Sequence, residues 1–346
     1  MKKENQDKSR VVKRQVKKKR RNKKVVIFLV VPLVILLTVV FVYGFSVLNK
    51  AQEVVNSSYE SDGRDGGSEL RDNLVDPKFD NVSILFIGVD HGGARDSSVN
   101  GLSDALILAT LNKDQNSVKL LSIPRDSYVY IPERDTYTKI NHAHSYGGAK
   151  ATIETVENLL EVPIDYYVRI NFDAFIDIID TLDGVTVEVP YEIREMDSND
   201  TKGAIHLLPG EQLLNGEEAL AFARTRKKDN DLERGKRQQQ LIGAMVDRAV
   251  SINTLFNIDA LLTAVGDNMN TSMKPNDIIS LTNYGLSGKI DIETLNLTGS
   301  DLWTPTYYFQ LDEESLEENK RILKEHLGLI ENQESVTQSN ESDDKL

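Results

Sequence analysis

The chain has 346 residues, 41 Lys or Arg against 54 Asp or Glu, a net charge of −13 and no cysteine. Without cysteine there can be no disulfide, no thiolate catalysis and no Cys-ligated zinc or iron–sulfur centre. An exported domain of this size lacking disulfides points to a bacterial surface protein, Gram-positive in type.

The first 24 residues hold thirteen Lys or Arg and two acids, a local charge of +11. Val25–Leu48 then runs for 24 residues without a charge. At about 1.5 Å per residue this is enough to cross a roughly 30 Å hydrocarbon core, so the segment reads as a transmembrane signal-anchor helix. Pro32 removes one helix hydrogen bond near the inner end, which membranes tolerate. A cleaved signal peptide would have a shorter apolar run ending in small residues. The positive-inside rule places residues 1–24 in the cytoplasm and the rest outside a single-pass cell membrane. Removing the +11 tail from the total leaves −24 for the remaining 322 residues. The tail orients the helix and meets anionic headgroups of the lipid bilayer; no nucleic-acid partner is expected.

Residues 49–79 are rich in Ser, Gly, Asp and Glu without apolar periodicity and read as an extracellular linker. The folded domain is expected over residues 80–328, with a disordered tail over 329–346. Inside it, apolar β-rich runs (VSILFIGV, ALILATL, VKLLSI) precede a helical pattern, ATIETVENLLEV, with Ile153, Val156 and Leu160 on one face. The alternation continues with YYVRINF as strand, DAFIDIIDTL as helix, GVTVEV as strand, GEEALAFA as helix and RQQQLIGAMVDRAVSI as a longer helix. TLNLTG reads as an edge strand and EESLEENKRILKEHL as a closing helix. Such patterning predicts an α/β domain around a single sheet core, with no internal repeat.

Common catalytic signatures are missing: GxxxxGK[ST], HExxH, GxSxG and a helix-opening GxGxxG. His142 and His144 lack carboxylates at ligand spacing and read as structural. What remains is a set of Asp and Arg at strand ends: Asp90 after ILFIGV, Asp104 before ALILATL, and Arg125–Asp126 after VKLLSIP. Ligands of open α/β sheets gather at the carboxyl ends of strands, although each residue taken alone could equally cap a turn. A second cluster lies in ALAFARTRKKDNDLERGKRQQQLI. Arg224 and Arg226 at i, i+2 share one side of an extended segment, while Arg234, Arg237 and Gln238 share one face at a helix start. In a domain of −24, this local reversal of sign suits an anionic ligand, because guanidinium forks and a helix N-terminus both bind phosphate. A solvated charge run is the plain alternative.

These stretches, in order SILFIGVD, SDALILATLN, LLSIPRDSYVYIP, KINHAHSYGG, PIDYYVRINFDAF with DGVTVEVP, HLLPGEQLLNGEEALAFARTRKKD and RGKRQQQLI, resemble the LytR-CpsA-Psr cell-wall ligases. The resemblance is strongest over residues 80–250 and weaker to about 328. It implies a single extracellular α-β-α domain with a central mixed β-sheet flanked by helices, after one N-terminal transmembrane helix. It also implies a phosphotransferase that moves a polymer from an undecaprenyl-pyrophosphate carrier to a peptidoglycan hydroxyl through a phosphodiester, with Mg²⁺ or Mn²⁺. Carried over by position, Asp90 and Asp104 match metal-associated carboxylates, and Arg125, Arg224, Arg226, Arg234 and Gln238 match pyrophosphate-binding residues. Lys139 and Arg237 match further motif positions and are counted, with Arg95, in the same pyrophosphate-binding set. Many members place an arginine directly before the Ser-Asp pair, where this chain has Leu102; Arg95, in the preceding loop, takes that part.

Asp104, Arg125 and Arg224 are the catalytic candidates. Asp104 is the first candidate base for the acceptor hydroxyl, with Asp126 and Asp90 as alternatives. The lipid tail requires an apolar pocket between the sheet and the helices around residues 173–182 and 236–266. Wall teichoic acid, capsule, secondary polysaccharide and glycosylated wall protein all remain open as the attached material. Two other readings are a non-catalytic binder of lipid-linked polymer and a transcriptional attenuator of cell-wall functions.

Overall fold

Three apolar runs close in sequence, each long enough for a strand, build the centre of the molecule. They are β1 (Val82–Val89), β2 (Ser103–Asn112) and β3 (Ser117–Ser122). The computed structural model describes residues 53, 57–64, 67–89, 101–225, 231–249, 269–286 and 290–331. The transmembrane segment Val25–Leu48, the basic tail and the C-terminal stretch from 332 lie outside the described residues, among which no helix is long and apolar enough to cross a membrane.

β1 and β2 pair antiparallel, as do β2 and β3. After β3 come a hairpin of β4 (Tyr128–Ile131) and β5 (Thr136–Lys139) and then helix α1 (His142–Leu160). α1 is kinked at Gly147–Gly148; Gly148, at φ 64°, occupies backbone space that side chains disfavour. β6 (Tyr166–Asn171) returns parallel to β1. Next are helix α2 (Phe172–Thr181), β7 (Val185–Val189), β8 (Ile193–Glu195), β9 (Ile205–Leu207) and β10 (Gly210–Leu214). Helices α3 (Gly216–Arg224) and α4 (Asp231–Ala249) precede β11 (Met269–Thr271) and α5 (Pro275–Leu286). The described chain closes with β12 (Asp291–Asn296), the hairpin β13 (Gly299–Thr304) and β14 (Thr306–Leu311), and α6 (Glu313–His326).

The central sheet is mixed and six-stranded, in the order β11-β6-β1-β2-β3-β12. Strand alternation sends side chains to opposite faces. Leu85, Ile87, Leu106, Leu108 and Leu121 pack with Ile153, Val156 and Leu160 of α1 and Leu323 of α6. On the other face Phe86 and Ile107 meet Ile242 of α4, and Ile84 and Val168 meet Ile278 and Leu281 of α5. The layers are therefore helix, sheet, helix, the arrangement that the family resemblance implies, and β12, which ends within TLNLTG, is an edge strand.

Three expectations need correction. GVTVEV forms a strand, but it pairs with β10 outside the central sheet, so the core is not a single sheet. Its alternation gives Val185, Val187 and Val189 one buried side, and they pack against α3 and α4 rather than against the sheet. The long helix starts at Asp231, inside the charged run, six residues before the apolar pattern becomes visible. The supposed linker is tied to the domain at several of its described residues. Arg64 donates to Glu157 (3.0 Å) and to the Ile164 carbonyl (2.7 Å), and Arg71 grips both oxygens of buried Asp165 at 3.0 and 2.8 Å. Composition misled here because polar segments can be held by buried charge-assisted hydrogen bonds as well as by apolar packing.

His326 fastens α6 to the sheet. Its ring nitrogens meet the hydroxyls of Thr110 (2.8 Å) and Ser117 (2.9 Å), and only 2% of the residue is exposed. Burial, reinforced by Lys119, pushes its pKa down from 6.5 to about 4. The unfolded chain therefore binds a proton first as pH falls, so stability is full above about pH 6.5 and declines toward pH 4. Urea midpoints across this range should fall by the equivalent of about 2 kcal/mol after allowance for solvent screening. That slope should flatten in His326→Gln; an unchanged slope would put the titration elsewhere.

Candidate active site

The strand register builds the floor of a cavity of about 650 Å³. Phe86 pairs with Ile107 across β1 and β2, and Gly88 sits between Ala105 and Ile170 of β6; all five line the cavity. A register shift between Gly88 and Val89, just before Asp90 in the chain, moves the pairing on to Ser103.

Helices form the walls. Phe172, Phe175, Ile178 and Leu182, spaced three or four residues apart along α2 and its end, present one apolar stripe. α2 is fixed by Asn171, whose side chain accepts from the Ala174 amide at 2.8 Å and which itself lines the cavity. α3 begins with a reciprocal cap between Asn215 and Glu218 and ends on Arg224, contributing Leu220, Ala223 and Arg224.

α4 carries the change from polar to apolar along one face. Arg234 and Gln238 lie toward its start, followed by Leu241, Ile242, Met245 and Val246. From Arg234 to Met245 this face is about 16 Å long at 1.5 Å per residue. The helix can lie this close because Gly235 abuts β3: a Cβ there would come within 2.5 Å of Ser122 Oγ. One turn on, buried Gln239 donates to the Leu120 (2.9 Å) and Leu295 (2.8 Å) carbonyls of β3 and β12.

The polar end lies at the carboxyl ends of β1, β3 and β6, where ligands of α/β sheets bind. Arg125, three residues beyond β3, donates through Nη1 to Asp104 Oδ1 at the start of β2. Its Nε lies 3.9 Å from Asp126, which is held at 2.8 Å by Lys139 and only 4% exposed. Arg224 donates to the Met196 carbonyl and, at 2.8 Å, to that of Asp197. Arg234 is 5% exposed, and Gln238 donates to the Ala223 carbonyl at 3.3 Å.

Of the residues singled out in the sequence, the structure brings Asp104, Arg125, Arg224, Arg234 and Gln238 to this cavity. Asp90, Arg95 and Arg226 lie outside the described residues. Lys139 is absent from the cavity lining and instead supports Asp126. Arg237 is also absent from it: its guanidinium is buried against α3, donating to Phe222 O (3.0 Å), Thr225 O (2.5 Å) and Tyr191 Oη (3.2 Å). Arg224 is not on an extended segment but in the last helical turn. His142 and His144 are absent from the cavity lining; their ring nitrogens lie 3.0 Å from Thr138 Oγ1 and 2.8 Å from the Gly101 carbonyl.

Sequence reasoning missed Glu195 and Asp200, two further carboxylates of the cavity wall. Glu195 accepts from Thr225 Oγ1 at 2.7 Å and has no sequence signal, because β8 is only three residues long. Asn171 could have been found as an Asn between a strand and a helical pattern.

An apolar cavity with a cationic, hydrogen-bonding mouth is complementary to an anionic headgroup on a hydrocarbon chain. The profile of the LytR_cpsA_psr family matches residues 44–325, and the chain belongs to that family. Two relatives are polyisoprenyl-teichoic acid–peptidoglycan teichoic acid transferases of Bacillus subtilis strain 168. TagV is 40% identical over 301 residues, covering 84% of this chain and 76% of that protein. TagT is 39% identical over 294 residues, covering 84% and 89%. Among solved structures, TagT with bound octaprenyl pyrophosphate lipid superposes with a TM-score of 0.62 at 36% identity over 78% of this chain and 99% of that one. TagT bound to LI-WTA gives 0.65 at 39% over the same shares.

Proposed function

We propose that this chain transfers a cell-wall glycopolymer, teichoic acid in class, from an undecaprenyl-pyrophosphate carrier to peptidoglycan, working from the outer face of the cell membrane. The observation that carries this reading is a cavity with arginines at its mouth and hydrocarbon side chains inside. The relatives' transferase activity and the polyprenyl pyrophosphate in TagT support it. The apolar run Val25–Leu48 would hold the domain at the bilayer, where such a donor resides.

In the reaction, an acceptor hydroxyl oxygen attacks the phosphorus that bears the polymer. A new phosphodiester forms, the bridging P–O bond breaks, and lipid phosphate departs with the electron pair. Arg125, Arg224 and Arg234 face the oxygens on which charge accumulates, and such preorganised donors supply most of the catalysis in phosphoryl transfer. The hydroxyl proton needs a carboxylate. Asp126 is buried on Lys139; of the described carboxylates that line the cavity, Asp104 is the one set against Arg125, which puts it ahead of Glu195, bonded to Thr225, and of Asp200.

Asp104 also suits a divalent ion. Its Oδ1 is engaged by Arg125, a carboxylate has a second oxygen to offer, and Mg²⁺ characteristically combines one or two carboxylates with substrate phosphates. Asp104, with Asp90, would hold Mg²⁺ or Mn²⁺, whose charge would offset that of the pyrophosphate.

The test is turnover of detergent-solubilised polymer-pyrophosphate-lipid with peptidoglycan, reading both lipid phosphate and polymer-bearing muropeptides. The intact chain should form both products, and Arg224→Ala should lower their rate by about 10²-fold. A chain lacking residues 1–48 should keep this rate in detergent and fail to replace the intact chain in cells. Wild-type turnover in Arg224→Ala would exclude this site.

A further inference from the structure

The β4–β5 hairpin has a buried side and an aromatic side. Val129 and Ile131 face the core, while Tyr128, Tyr130, Tyr137 and Lys139, paired as Tyr128↔Lys139 and Tyr130↔Tyr137, face outward. Tyr137 is 61% exposed, with ring centroids 5.7 and 5.4 Å from Tyr128 and Tyr130. The β13–β14 hairpin extends this surface. Tyr308 meets Tyr128 edge-on at 4.8 Å, Lys139 Nζ lies 5.6 and 5.9 Å from the Tyr307 and Tyr308 rings, and Trp303 stands 5.2 Å from Tyr307. Trp303, the only tryptophan of the chain, is 70% exposed.

This surface is linked to the active site through Asp126. The Phe309 amide of β14 donates to the Asp126 carbonyl at 2.8 Å, and the Lys139 ammonium beneath the Tyr rings holds the carboxylate of that same Asp126, next to Arg125. Carboxylates are built into it: Asp135 accepts from Tyr130 Oη (2.8 Å) and Asp301 from Tyr307 Oη (3.1 Å).

The geometry points to a saccharide-binding platform that holds the peptidoglycan glycan strand for attack at the cavity mouth; this rests on the transfer reading above. Exposed aromatic faces stack on the apolar faces of pyranose rings, and neighbouring carboxylates and hydroxyls take up sugar hydroxyls. On the transfer reading the donor is held by its pyrophosphate and lipid in the cavity, so the acceptor strand requires a surface of its own beside the mouth. A polyol-phosphate polymer offers few such ring faces. An anionic bilayer would also favour Trp, Tyr and Lys, but Asp135 and Asp301 would repel its headgroups.

Trp303 is a built-in reporter. The full chain in detergent micelles is titrated with peptide-stripped glycan strands, with isolated teichoic acid, and separately with phosphatidylglycerol vesicles. Glycan strands should shift its emission to shorter wavelength and saturate. Tyr137→Ala, at an exposed position, should weaken this binding about tenfold and leave hydrolytic cleavage of the lipid donor unchanged. Donor turnover with no response to glycan strands would overturn the platform alone, as would a response to teichoic acid or vesicles in their place. Saturable glycan binding without donor turnover would support the platform and defeat the transfer reading.

Discussion

Arg125→Ala should lower kcat/KM for polymer transfer by a factor of about 10²–10³ and leave the unfolding midpoint close to wild type. The guanidinium is partly exposed at the cavity mouth, where it donates to the Asp104 carboxylate. On the proposed reading its value lies in a fixed fork at the cavity mouth, with Asp104 on one side and the Asp126–Lys139 pair on the other. Arg125→Lys should recover only a small part of the loss, because an ammonium on a flexible stem cannot reproduce the fork. Asp104→Ala should be similarly severe. If the pair acts as one unit, the double variant will be scarcely worse than the poorer single one, and the coupling read from the cycle measures that unit. Strictly additive losses would mean that Asp104 and Arg125 act on separate steps.

The opposite behaviour is expected of Arg237, whose spacing in the sequence made it a companion of Arg234. Its guanidinium is a clamp: it ties α4 to the Phe222 and Thr225 carbonyls at the end of α3, and the Tyr191 and Phe222 rings lie 5.9 Å away. Arg237→Ala strips two buried carbonyls of a charged donor and opens a void. The combined cost is about 3 kcal/mol. For a domain of this size the thermal midpoint should drop by roughly 6–12 °C. Transfer per folded molecule should stay within about threefold of wild type. A large loss of turnover at an unchanged midpoint would return Arg237 to the pyrophosphate site.

Much of this molecule was legible because periodicity reports which face an element buries. The three early strands, helix α1 with Ile153, Val156 and Leu160, the strand–helix unit of β6 and α2, and the closing helix all follow from it. Several elements of three to six residues did not show, since so short a run carries no reliable period unless it is strongly apolar. The β8–β9 and β13–β14 ribbons and the hairpin of alternating tyrosines were unread for that reason, and with them Glu195 and the aromatic surface. The described part of residues 57–79 was misread as a linker because its attachment is made by Arg64 and Arg71, each paired with an acid more than ninety positions away.

The sequence alone determined the chemistry available: strand-end carboxylates, a basic run in an acidic domain, no thiol, and the ordered blocks that mark the family. Within RGKRQQQLI it could only say that several cationic and amide side chains share a helix. Tertiary structure decided their division of labour. A helix turns about 100° per residue, so Arg234 and Gln238 meet the cavity, Gly235 and Gln239 press on the sheet, and Arg237 locks onto α3. Which side becomes the site depends on what packs against each face of α4, and those partners lie in strands and helices distant in the chain.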